Sequence, residues 1–225
     1  MVTSTQAVAF DLAEQGAADG TVVVARSQTA GRGRRGRRWE DEPGASLLVS
    51  LVVRSRLPMA RWPLLSYAAA LAVADMLGEV AGLPVRLKWP NDVLVGGRKI
   101  AGILLESRTT LAAVMVGVGV NLNQCRFPPA LALRATSVAL ETERAVDGDT
   151  ALAVLLRAFD AWRGRLEREG FGPLRERWLA LSDTIGRRIS VDGVHGEAVD
   201  LDGDGALLVR DDGGLRRLLA GEIEA

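Results

Sequence analysis

Apolar runs divide the chain first. Thr21 to Arg26 and Ser46 to Val53 are β-branched stretches with few polar breaks, the pattern of buried strands. Gln6 to Gln15, entered through the cap-type hydroxyls of Thr3-Ser4-Thr5 and closed by Gly16, predicts a short helix. Arg61 to Ala81 predicts a longer one with Pro63 in its first turn. Leu64, Leu65, Ala69, Leu71, Val73 and Met76 make it apolar on nearly every side, so it belongs at the centre. Val85 to Trp89 and Val93 to Val95 read as strands, Gly96-Gly97 as a tight hairpin turn, and Lys99 to Leu105 as the returning strand. Leu111 to Val120 reads as another strand, and its Gly117 and Gly119 suggest close backbone approach by a ligand. Ala135 to Leu140 reads as a loop and short turn. Asp149 to Glu169 reads as a long amphipathic helix, and a shorter helix follows Pro173 and ends near Leu181.

After Ser182 the pattern changes. Arg188 to Val191, Gly196 to Leu201, Ala206 to Val209 and Leu215 to Leu219 are short strands separated by Gly and Asp turns, which predicts a small β-barrel. The expected organisation is a main domain over 1–181 and a barrel over 182–225, with no internal repeat.

Charge changes the picture locally rather than globally. The 28 basic residues balance 28 acidic ones, so no overall field collects nucleic acid. A single cysteine, Cys125, excludes an internal disulfide framework and fits a reducing compartment. A single histidine, His195, argues against a His-based metal centre or a Ser-His-Asp triad and leaves a carboxylate-bound ion open. With no signal peptide, and no apolar run read as long enough to span a bilayer, the expected location is cytoplasmic. Only two of the 28 basic residues are lysines, Lys88 and Lys99. In a chain that writes arginine wherever a cation is needed, two compact ammonium groups suggest a site that a flat guanidinium would not fit.

The positive charge is concentrated in Gly31 to Trp39, where five arginines and three glycines end on an indole. Such a segment cannot form a core, but its guanidinium forks and bare backbone N–H groups suit a small polyanion. The string is also G-x-G-x-x-G, the dinucleotide fingerprint, yet Pro43 and Gly44 interrupt the helix that motif needs, and Arg54 to Arg56 stand where its acidic residue belongs. A solvated charge run or a nucleic-acid arm is the other reading of these residues alone.

Two further segments carry the same theme: Lys88-Trp89-Pro90-Asn91-Asp92 with Arg98-Lys99-Ile100-Ala101-Gly102, and Gly117-Val118-Gly119-Val120-Asn121. Together with the arginine loop they resemble the biotin protein ligase family, which attaches biotin to a carrier-protein lysine, and the resemblance covers nearly the whole chain. It implies an α+β fold, with a mixed β-sheet and packed helices of the class II synthetase and biotin/lipoate ligase type, and a C-terminal SH3-like barrel. It implies ATP, Mg²⁺ and biotin as reactants and a biotin carboxyl carrier protein or domain as partner. It implies that Ser4, Thr5 and Gln28 line the biotin ureido pocket, that Gly31, Arg32, Arg34 and Gly102 also belong to the biotin site, and that Lys99 addresses the carboxyl end. The resemblance further implies that Arg34, Arg37, Trp39 and Asn121 hold the nucleotide, with Trp39 stacking on adenine, and that Arg34, Lys88, Asn91, Asp92 and Lys99 form the catalytic set with Asp92 as the metal contact. On the same likeness the glycines are expected to let the loop order over the intermediate.

Two departures accompany the resemblance. Gln6 stands where the family has Asn, and the chain starts three residues before Ser4, where family members carry a further strand; either the start is set too late or the sheet lacks an edge strand, with the biotin pocket expected to be loosened accordingly. The same start leaves no room for an N-terminal winged-helix DNA-binding domain, so no DNA partner is expected; no membrane partner is expected from the apolar pattern, and a homodimer is left open. Rival readings are a lipoate or octanoate ligase, a non-catalytic biotin or nucleotide sensor, and an RNA-binding protein, the last disfavoured because only Trp39 lies in the basic patch.

Overall fold

The computed structural model describes residues 1–223, so residues 224 and 225 of the expected barrel lie outside the described residues. Six strands build the main sheet: β1 (Thr21–Ala25), β2 (Ser46–Val53), β3 (Arg86–Lys88), β4 (Asp92–Val95), β5 (Arg98–Arg108) and β6 (Ala113–Asn121), in the order β1-β2-β6-β5-β4-β3. The sheet expected to be mixed is antiparallel in every ladder, and its parallel contacts are isolated bridges such as Val2 with Gln28 and Lys99 with Ala135.

The period-two rule explains how one sheet serves both core and site. On β2, Leu47, Val49, Leu51 and Val53 join the main core, as do Val114, Val116, Val118 and Val120 on β6. The intervening residues face the other side, where Val52, Ala113 and Met115 pack under helix α1 (Thr5–Glu14) through Ala9, Phe10 and Ala13. Further along β6 that face carries Gly117, Gly119 and Asn121, and the helix cover ends. The face therefore passes from core to open cleft within one strand.

The other face is covered by α2 (Leu65–Ala81), α4 (Gly148–Glu169) and α5 (Gly172–Leu181). The predicted α2 boundary moves because Met59–Leu64 is a 3-10 turn containing Pro63, and regular helix begins only at Leu65. Contrary to the expectation of no spanning-length run, Met59–Ala81 is 23 residues long with mean hydropathy 1.5, long and apolar enough to cross a membrane by length and composition. Its window is 67% buried inside the protein, which makes it a core helix. Residues 135–140, expected as a loop and turn, include the start of helix α3 (Val138–Thr142), capped by Ser137, whose Oγ accepts from the Leu140 N–H.

Strands β7 (Arg188–Val191), β8 (Val194–Leu201), β9 (Leu207–Asp211) and β10 (Gly214–Leu218) form a four-stranded antiparallel meander, the sheet of a small SH3-like barrel. Ile223 returns to bridge Val191, which carries the C-terminal segment past the main sheet.

Candidate active site

The cleft over the β2, β6 and β5 face has a volume of about 930 Å³. Its neutral end is built around the N-terminus of α1. Ser4 caps that helix by accepting from the Gln6 N–H at 3.2 Å, and Thr5 donates its backbone N–H to Gln28 Oε1 at 2.8 Å. Because an amide N–H only donates, this contact fixes the orientation of Gln28, whose NH₂ group makes no hydrogen bond among the described residues. Thr5 Oγ1 lies 3.2 Å from the same oxygen. Below them the Ser50 hydroxyl sits 2.9 Å from Thr5 Oγ1 and 2.8 Å from Gln6 Oε1, while Gln6 donates to Met115 O at 3.1 Å. Ser4, Thr5, Gln6 and Ser50 are all buried.

The N-terminal residues are tied down rather than loose. Val2 donates to Ser27 O at 3.3 Å and accepts from the Thr29 N–H at 3.0 Å, and Ala30 donates to Thr3 O at 2.8 Å. That stitching corrects the expected loosening of the pocket.

The charged end is built by the Lys88-to-Asp92 turn and β5. Trp89 is 2% exposed, and its backbone N–H donates to the buried Thr184 Oγ1 at 2.9 Å, so the indole anchors the turn from within. Asn91 is fixed by donation to Ile103 O at 2.8 Å and accepts from Arg34 at 3.3 Å. Lys88 and Asp92 are direct partners across β3 and β4, which puts both side chains on one face. Lys99 reaches Asp92 with Nζ to Oδ1 at 2.6 Å.

The arginine loop is a closed hairpin. Trp39 donates to Gly31 O at 3.1 Å and Gly33 to Arg37 O at 2.7 Å, while Arg32 bridges Arg38. Arg34 also donates to Gly221 O at 3.3 Å, and Arg37 is paired with Glu222. Burial, and then the neighbouring Arg35 cation, press the Arg34 guanidinium below its usual pKa, with Asp92 and Glu222 pulling the other way. Arg32 faces Glu106 at 3.8 Å.

Trp39 lies flat on a glycine pair. Gly102 and Gly119 are cross-strand partners, and a Cβ would come within 3.2 Å of the indole at Gly102 and 2.8 Å at Gly119. A Cβ at Gly117 would lie 2.8 Å from Gln6 Oε1. The strand glycines expected to admit a ligand thus admit the chain's own Trp39 and Gln6. Asn121 donates to Thr136 O at 2.9 Å, but among the described residues its buried Oδ1 has no partner, and neither has Trp39 Nε1.

Ser4, Thr5, Gln28, Arg32, Arg34, Arg37, Trp39, Lys88, Asn91, Asp92, Lys99, Gly102 and Asn121 all line this one cleft. Gly31 does not. It sits behind the wall, where a Cβ would lie 2.7 Å from Trp39 O, so its demand is steric.

Residues 1–123 match the family described as Biotin/lipoate A/B protein ligase, and residues 184–224 match the Biotin protein ligase C terminal domain. The chain belongs to the biotin protein ligase family. It is 41% identical to the biotin–[acetyl-CoA-carboxylase] ligase of Paracoccus denitrificans, over 98% of this chain and 96% of the relative. Identity to the bifunctional ligase/repressor BirA of Bacillus subtilis is 34%, over 100% of this chain and 72% of that one. The biotin protein ligase of Aquifex aeolicus, solved in complex with biotin and ATP, superposes with a TM-score of 0.88 at 28% identity, covering 99% of this chain and 94% of the other.

For a ligase the donor set fits a magnesium ion only in part. Among the described residues no group of three or more His, Cys, Asp or Glu side chains is placed to hold a metal. Asp92 supplies one carboxylate, which suits magnesium, an ion that keeps waters and takes substrate phosphates as ligands. Sequence reasoning missed the C-terminal contributions to the cleft, Asp183, Thr184, Gly221 and Glu222. Each comes from a segment whose pattern predicts only turns, and nothing local in those residues signals their destination.

Proposed function

We propose that the protein activates biotin with ATP to biotinyl-5'-adenylate and transfers the biotinyl group to a lysine of a biotin carboxyl carrier domain of a biotin-dependent carboxylase. The catalytic unit is residues 1–181, with the barrel over 182–225. The observation that carries this reading is one cleft with a neutral, hydrogen-bonded end and a cationic end joined by the glycine floor. The free NH₂ of Gln28 offers donors for a ureido carbonyl, and the apolar strand face between the ends suits an aliphatic chain.

A carboxylate brought beside a triphosphate sets anion against anion, at about 4 kcal/mol per pair at 4 Å in a moderately screened site. Lys99, Lys88, Arg34 and Arg37 offset that repulsion. The carboxylate oxygen bonds to the α-phosphorus as pyrophosphate leaves. The carrier amine then attacks the acyl carbon and AMP departs with the electron pair of the cleaved bond. The unpartnered Asn121 Oδ1 is an acceptor for the exocyclic amine of adenine, and Trp39 offers its ring. A magnesium ion at Asp92 would neutralise phosphate charge. Neither DNA nor a membrane is needed, and the reducing cytoplasm supplies both ATP and carrier.

The test is biotin-dependent exchange of pyrophosphate into ATP, which reports adenylation without a carrier. Exchange with biotin and none with lipoate or octanoate is expected. Exchange with lipoate alone, or none with any acid, would overturn the reading.

A further inference from the structure

The tip of the arginine loop contains a residue that the chemistry above does not use. Arg35 has φ 54 and ψ 36, a left-handed conformation that L side chains rarely adopt. The Arg35 side chain reaches the barrel, where Nη2 meets Asp192 Oδ2 at 2.5 Å. Asp192 lies in the β7–β8 turn and is itself left-handed, at φ 47. Two residues of disfavoured backbone, 157 positions apart, thus meet in one ion pair. Its pull is strong enough to raise Arg35 above its usual pKa, through the hydrogen bond and charge of Asp192.

The neighbouring contacts follow from this anchor. With Arg35 committed to the barrel, Arg34 is left over the cleft between Asn91 and Gly221, and Arg37 stands at Glu222. Gly221 and Glu222 are held by the same barrel, since Ile223 bridges Val191 next to Asp192.

We propose that Asp192 is a positioning residue for the activation step: by pinning Arg35 it fixes the loop tip, so that Arg34 and Arg37 stay over the acyl-adenylate and keep it from leaving. This rests on the adenylation reading above. It gives the barrel a definite part in the first half-reaction, and it assigns Arg35 an anchoring role among five arginines of similar appearance.

Two measurements test it. The first needs no substrate: amide hydrogen exchange over residues 31–39 in the ligand-free protein. Asp192→Asn, which keeps the side chain's size, should speed exchange there several-fold and leave α2 unchanged. The second is the release rate of biotinyl-adenylate from the preformed complex. For a half-exposed pair the expected acceleration is about threefold to fivefold. Arg35→Ala should match Asp192→Asn, and the double variant should be no worse than either alone. Added salt should speed release from the wild type more than from Asp192→Asn, because the pair is screened. The charge exchange Arg35→Asp with Asp192→Arg should recover most of the retention. Unchanged loop exchange in Asp192→Asn would overturn the proposal whatever the substrate is. So would additive single effects, or faster release that tracks a lowered melting temperature. A wild type that forms no adenylate while Asp192→Asn loosens the loop would instead sink the adenylation reading and leave the anchor standing.

Discussion

The two ends of the cleft are built by opposite means. At the α1 end Ser4, Thr5, Gln6, Gln28 and Ser50 are neutral and mostly buried, and hold one another by hydrogen bonds. At the other end Lys99 rests on Asp92, Arg37 on Glu222 and Arg34 on Asn91 and Gly221, all partly exposed. The neutral end is complete before any ligand arrives. At the charged end Lys99 and Arg37 rest on the internal counterions Asp92 and Glu222, whose place an anionic substrate would take. Burial explains the division. Neutral groups can be organised inside the protein at small cost, whereas charges left without partners there are expensive.

The largest effect should come from removing a charge that no neighbour replaces. Lys99→Ala is expected to lower biotin-dependent pyrophosphate exchange by about a hundredfold or more. Lys99→Arg should be impaired as well, because the larger fork does not fit beside Asp92. Normal exchange in the arginine variant would remove the argument drawn from the two lysines. At the neutral end, Ser50→Ala removes the one hydroxyl proton shared between Thr5 Oγ1 and Gln6 Oε1 and leaves a buried oxygen short of a donor. It should raise the KM for biotin about tenfold and cost about 1–2 kcal/mol in urea unfolding, with the KM for ATP unaltered. A rise in both constants would show that the ends are not separate. Gly119→Ala places a methyl where the indole rests and should shift the Trp39 contribution to fluorescence while raising the KM for ATP a few-fold. The smallest effect is expected from salt. Between low and moderate ionic strength the KM for ATP should rise about twofold to threefold and that for biotin should hold, since only one end carries screened charges. Equal salt dependence would contradict the comparison.

How much of this the sequence carries differs between the same two ends. The strands were legible because Ser46 to Val53 and Leu111 to Val120 are apolar on both faces. The Gly96-Gly97 turn was legible because a glycine pair between two strand patterns signals a tight hairpin, and both glycines do have positive φ, at 57° and 77°. Ser4, Thr5 and Gln28 were reached only through the family resemblance, since a Ser-Thr pair before a helix reads as capping, and Ser4 does cap. Ser50 was invisible within a strand read as core, because its partners lie on α1. At the charged end the arginine loop announced itself by composition, but its direction did not. Nothing local says that Arg35 turns from the cleft while Arg34 stays, because that depends on a barrel turn far along the chain. The indole of Trp39, expected against adenine, lies on Gly102 and Gly119, where the missing side chains leave a flat bed.

The join between the main sheet and the barrel has a consequence for how the protein comes apart. Ile189, Val191, Ala198, Leu201, Leu207 and Val209 belong to the same continuous cluster as α2 and the main sheet. Tyr67 on α2 donates to Gly205 O at 2.5 Å, with its hydroxyl pushed to higher pKa by burial, and packs edge-on against Phe171 and Trp178. Arg175 on α5 donates to Leu201 O at 2.7 Å. Two domains in sequence are therefore expected to unfold as one body in calorimetry, with a single heat-absorption peak and no earlier shoulder from the barrel. A protease that cuts between α5 and β7 would have to unfold the whole chain before it could separate the parts.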